Sequence, residues 1–160
     1  MSLLNRKKNI QKGSGTGASN PGLTIGVLYN LPDTVSDAEY FQVLLRHAAH
    51  IFYPLEETAK IELNDQGPEG DSVLHLACSF GDLRAVRIIV ESGGVVDSLD
   101  EMNQTPLHRA VNGRYLDIIC YLLEHGASPA IMDSFGYSPK AWAIQMGYRD
   151  VEGILNKYEN

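Results

Sequence analysis

Three short segments of this chain stand at one constant spacing. Ser72-Val73-Leu74-His75-Leu76-Ala77, Thr105-Pro106-Leu107-His108-Arg109-Ala110 and Ser138-Pro139-Lys140-Ala141-Trp142-Ala143 each begin 33 residues after the one before. The same shift superposes Gly70, Asn103 and Gly136; Leu83, Leu116 and Arg149; Ile89, Leu122 and Leu155; and Gly93 with Gly126. A register kept at so many places means tandem copies of one supersecondary unit, each too small to bury its apolar face alone and so obliged to stack on its neighbours. About three copies is the usual minimum for such an array.

The residues of one copy have local reasons. Thr105 is suited to cap a helix with its hydroxyl, and Pro106 to the first helical position, where a missing N–H costs nothing. Leu107 and Ala110 turn inward. Gly70, Asn103 and Gly136 stand where a turn would demand positive φ. A second helix, Leu83–Ser92 and Leu116–His125 in the first two copies, carries an apolar stripe and ends at Gly93 or Gly126. Thr105-Pro106-Leu107-His108-Arg109-Ala110 matches at every fixed position the Thr-Pro-Leu-His-x-Ala hallmark of the ankyrin repeat, and residues 64–160 as a whole resemble three such repeats. The resemblance implies an all-α solenoid of stacked helix-turn-helix pairs joined by β-turn loops, with repeats at about 67–99, 100–132 and 133–160. It also implies that His75 and His108 are structural.

The ends of the array need covers. In the third copy Lys140 replaces the Leu and Ala141 the His, while Arg149, Glu152 and Asn156 stand where the second has Leu116, Ile119 and Leu123. These polar replacements suggest a C-terminal cap and the end of the chain. At the other end Ser36-Asp37-Ala38-Glu39 reads as a capping box. It opens a helix over about 37–53 whose Tyr40, Phe41, Leu44, Leu45, Ala48, Ile51 and Phe52 keep the spacing of one buried face until Pro54. The segment 24–63 is expected to cap the first repeat, with a degenerate repeat as the alternative. Trp142 is expected to pack on the preceding repeat.

Charge then narrows the partners. Residues 1–32 carry Arg6, Lys7, Lys8, Lys12 and no acid, whereas residues 33–160 hold 9 basic and 20 acidic side chains, a balance of −11. So acidic a body disfavours nucleic acid, whose binding depends on cations that displace counterions. The basic head, with Gly13-Ser14-Gly15-Thr16-Gly17-Ala18-Ser19 behind it, is expected to be a flexible tail over residues 1–23; its composition also fits a short nuclear signal or an organelle-targeting peptide. Its glycines lack the strand, helix and Gly-Lys-Ser/Thr ending of a phosphate loop. Nothing approaches the apolar length of a membrane span, the longest obvious run being the six residues Ile118 to Leu123. Cys78 and Cys120, far apart and outside any CxxC pair, signal neither a disulfide framework nor a thiolate metal site. The expected setting is cytoplasmic or nuclear.

No nucleophile, base and orienting group recur together, so no catalysis, cofactor or metal is expected. His47 and His50 lie three apart on the N-terminal helix but lack the intervening Glu of a His-Glu-x-x-His zinc motif. Asn103-Gln104-Thr105 has the form of a glycosylation acceptor, but Thr105 is needed as a cap. Carried over from the resemblance, partners would be met by the loop tips and inner helices: Glu101, Met102 and Gln104; Ser134, Phe135 and Tyr137; and Ser79 and Phe80, Asn112 and Gly113, and Gln145 and Met146. Met102, Phe135, Tyr137, Met146 and Phe80 are large at places the fold does not need filled. The function expected is a small adaptor that binds other proteins, as a monomer or with weak self-association. The alternatives are a C-terminal regulatory module of a larger enzyme or channel, against which Met1 argues mildly, and an enzyme with its site at His47, His50, Glu56 and Glu57.

Overall fold

The computed structural model describes residues 30–32, 34–56 and 59–158. The tail expected over residues 1–23, the start of the 24–63 segment as far as residue 29, and the site candidate Glu57 lie outside these. The described residues form seven helices: α1 (Asp37–Phe52), α2 (Val73–Phe80), α3 (Leu83–Glu91), α4 (Pro106–Asn112), α5 (Leu116–Glu124), α6 (Pro139–Gln145) and α7 (Arg149–Leu155). α2–α3, α4–α5 and α6–α7 are antiparallel pairs at the 33-residue register.

Each pair begins in the same way. The hydroxyls of Ser72, Thr105 and Ser138 accept the amides of His75, His108 and Ala141 three residues on. In the first two copies the imidazole Nδ1 returns the bond by accepting the cap's own N–H, at 3.1 and 3.0 Å. Ala141 cannot. Pro106 and Pro139 open α4 and α6. The turns before them place Gly70, Asn103 and Gly136 at φ 74°, 56° and 81°, which Gly adopts freely and Asn better than most. α3 and α5 stop at Glu91 and Glu124, one residue short of expectation, and Gly93 and Gly126 follow the caps with positive φ.

One continuous core runs from Tyr40 to Leu155. α2, α4 and α6 stack as an inner row and α3, α5 and α7 as an outer one. Val73, Leu74, Val86, Ile89, Leu107, Ile118, Ile119, Leu122 and Leu155 are fully buried. Burying a side chain of this size contributes roughly 1.5–3 kcal/mol. Much of what covers it belongs to the adjacent pair, so that stabilisation exists only in the stack.

α1 lies across α2 and α3, and the first repeat is built to receive it. The Tyr40 phenol donates to the Asp82 carboxylate at 2.6 Å, while the other oxygen of Asp82 accepts the Ala85 amide and caps α3. Asp82 is buried, and its counterparts in the later copies are Tyr115 and Tyr148. Phe52 lies against the α-carbon of Gly67, where any Cβ would collide with the ring. Arg84 reaches back to Asp37 at 2.7 Å. At the far end Arg149 and Asn156 are exposed and Glu152 half-buried, yet the apolar Ile144 is also exposed.

Candidate protein-binding surface

Two buried aspartates organise the turns between repeats. Asp100 Oδ1 accepts the amides of Met102 and Gln104, both at 2.8 Å, and Asp133 Oδ1 accepts those of Phe135 and Tyr137, both at 2.9 Å. The second carboxylate oxygen is taken by a side chain nine residues on: Arg109 Nη2 at 2.8 Å from Asp100, and the Trp142 indole N–H at 2.8 Å from Asp133. Trp142 therefore holds its own turn, its ring tilted against Tyr137 at 5.4 Å, a contact within its own repeat that the expected packing on the preceding repeat leaves out. Burial pushes the Asp133 carboxyl up, but the Trp142 indole and the Tyr137 and Phe135 amides outweigh this and hold it below the usual carboxylate range.

Successive turns are tied together. Glu101 N–H donates to the Glu69 carbonyl at 3.1 Å and Ser134 N–H to the Met102 carbonyl at 2.8 Å, the same bond one repeat apart. From below, the Nε2–H of His75 donates to the Gln104 carbonyl at 2.9 Å and that of His108 to the Tyr137 carbonyl at 3.1 Å. Because each Nδ1 accepts a backbone amide, both rings are neutral with the proton on Nε2. Burial lowers the pKa of each.

On this framework the candidate residues fall into two sets. Met102 and Phe135 are exposed by 44% and 62% at the same place in consecutive turns, flanked by exposed Glu101 and Ser134. Ser79, Asn112, Gly113, Gln145 and Met146 are exposed on or just beyond the inner helices. The others are engaged. Phe80 is half-buried, its ring 5.8 Å from that of His47 on α1, so α1 covers a position expected to be free. Tyr137 is half-buried against Trp142, and Gln104 is half-buried with its backbone bonded to Asp100 and His75. Leu99 and Met132, exposed three residues before Met102 and Phe135, escaped the sequence reading. Their signal is present: two apolar residues at one loop position, 33 apart.

Other chemistry finds little support. Asp71, His75 and Asp100 come close enough together to suggest a cation site. Arg109 already bridges the two carboxylates, at 3.0 and 2.8 Å, and both nitrogens of His75 are engaged. Burial drives the Cys78 thiol far up, and it raises that of Cys120, with Glu124 adding to it, so neither is activated. His47, lowered by burial and by His50, lies against Phe80. A groove beside α1 lined by Gln42, Leu45, Arg46, Ala49, Ala59, Lys60 and Ile61 contains no carboxylate, imidazole or thiol. Among the described residues no helix is long and apolar enough to cross a membrane.

A family model for ankyrin repeats, in three copies, matches residues 37–133. The chain belongs to the ankyrin-repeat family. Ankyrin repeats mediate protein–protein interaction, and the match extends over α1 as well as the first two helix pairs. Over 81 residues the chain is 36% identical to the human palmitoyltransferase ZDHHC13, covering 50% of this chain and 13% of that one. Over 98 residues it is 36% identical to the nuclear factor NF-kappa-B p105 subunit of Rattus norvegicus, covering 58% of this chain and 10% of that one. Over 70 residues it is 39% identical to the human protein phosphatase 1 regulatory subunit 27, covering 44% and 46%. The matched segment is less than half the length of each.

Proposed function

We propose that this chain is a non-catalytic adaptor that grips partner proteins with the tips of its turns and the open part of its inner helices. Met102 and Phe135 carry the reading. They are large apolar side chains held out to solvent by turns that buried carboxylates and cross-turn bonds already fix, so little entropy remains to be lost on binding. Ser79, Asn112, Gln145 and Met146 would extend the contact. The balance of −11 over residues 33–160 favours proteins over nucleic acid as partners. Reduced, unactivated thiols suit work in the cytoplasm or nucleus.

A second reading is a regulatory ankyrin module of a larger protein, enzyme or channel. It is favoured by the small share, 10–13%, that the match covers in two of the relatives above. Both readings use the same surface. Affinity purification in parallel with wild type and a Met102→Ala/Phe135→Ala variant tests it: the variant should lose the wild-type partners while its melting temperature stays within a degree or two, roughly the effect of a surface change. A variant that keeps every partner would refute the assignment.

A further inference from the structure

Where α1 meets the first turn, Ile51, Phe52, Gly67, Pro68, Glu69, Asp71 and Leu76 line a cavity of about 220 Å³. Its floor is apolar and its wall acidic. Arg109 is shared between Asp71 and Asp100, so one guanidinium answers two carboxylates, and Glu69 in the cavity lining adds a further negative charge. In the first repeat Gly67 stands where the others have Asp100 and Asp133, and Leu76 where they have Arg109 and Trp142, so the carboxylate-to-side-chain bond of the later turns cannot form and the Phe52 ring of α1 packs on Gly67 instead, forming part of the cavity lining. A long aliphatic stem ending in a positive charge matches both halves of such a site.

We propose that this cavity receives a lysine or arginine side chain from the partner segment that crosses the turns. The inference rests on the adaptor reading and deepens it by stating the partner's chemistry. The stem would lie on Phe52, Leu76 and Pro68, and the head group would meet Glu69 and Asp71. Burial raises the Asp71 carboxyl despite Arg109 beside it, so an added cation would relieve a charge that is incompletely compensated. Register adds a spacing. Glu69, Met102 and Phe135 hold the same place in successive repeats. Stacked helices lie about 8–10 Å apart, and an extended peptide advances roughly 3.3 Å per residue. The basic residue therefore falls about three residues from one apolar anchor and about six from a second.

Panning random dodecapeptides on phage against the full chain tests this. The expected enriched sequences pair a Lys or Arg with apolar residues at those spacings. As synthetic peptides they should lose roughly tenfold or more in affinity for a Glu69→Lys variant, and less for Asp71→Asn, with Met102→Ala weakening the same peptides independently. Glu69 is exposed, and an unchanged melting temperature shows that its variant is folded. Enriched sequences that are apolar without a basic preference, or whose affinity ignores Glu69→Lys, overturn this inference and leave the adaptor reading standing. Failure to enrich any sequence counts against both.

Discussion

At the scale of single residues, the two histidines show how one imidazole can serve as cap, brace and pH sensor. In His75 and His108 the Nδ1 accepts an amide of its own turn and the Nε2–H braces the next. A second proton would set donor against donor. Burial lowers both from the ordinary 6.5, so around that pH the unfolded chain binds more protons than the folded one. Their contribution is whole above about 6.5 and is lost as pH falls toward the depressed folded values, at no more than about 1.4 kcal/mol per pH unit for each ring. Asp71, raised by burial, acts in the opposite sense at the acidic end, because its folded form takes a proton more readily. The urea midpoint of the wild type should therefore fall between pH 7.5 and 5.5, roughly the range over which ordinary histidine titrates. The fall should be smaller in His108→Gln. A midpoint that does not move would remove the histidines from the account.

At the scale of elements, α1 and the first repeat have traded side chains. Where later repeats close their turn with an aspartate, the first has Gly67, and Phe52 of α1 takes the space. Gly67→Ala forces its Cβ into that ring, so it should destabilise the protein by about 1–3 kcal/mol, the usual effect of overpacking, whereas Gly93→Ala meets no atom and suffers only its positive φ. Thermal or urea unfolding measures each loss; a Gly67→Ala variant as stable as the wild type would show that α1 does not seat as described. These same contacts mark the limit of what could be read from the sequence. The capping box at Ser36 and Glu39, the register and the turn glycines are local or periodic signals, and they could be read directly. Tyr40 on Asp82, Phe52 on Gly67 and His47 on Phe80 join residues 42, 15 and 33 apart, and although the last spacing equals the period, α1 lacks the hallmark that would have placed it in register. For that reason Phe80 looked free when it is covered. The trace they leave is a break in the repeat: Gly67 against Asp100 and Asp133, and Asp82 against Tyr115 and Tyr148.

At the scale of the whole molecule, burial is a property of having a neighbour. Cys78, Val111 and Ile144 hold one position in the three repeats; the first two are 0% exposed and the third 53%. Nothing in the residue types explains this, since isoleucine is the most apolar of the three. The difference is that α4–α5 stands against the first pair and α6–α7 against the second, while among the described residues nothing stands against the third. A stack whose energy lies between nearest neighbours then makes opposite predictions for one chemical change. Val111→Ser removes buried methyl groups and sinks a hydroxyl into the core, which should cost about 2–4 kcal/mol. Ile144→Ser alters a side chain already largely in water and should shift stability by no more than about 0.5 kcal/mol. Urea unfolding of both variants decides between a nearest-neighbour stack and a core in which the position itself matters. If Ile144→Ser proved as costly as Val111→Ser, something not seen here would have to cover the last repeat, and a second copy of the chain would be the first candidate, since covering that face is what self-association at the open end would achieve. Sedimentation of the wild type and of Ile144→Ser at the same concentrations would then separate a dimer interface, lost in the variant, from a contact within the chain.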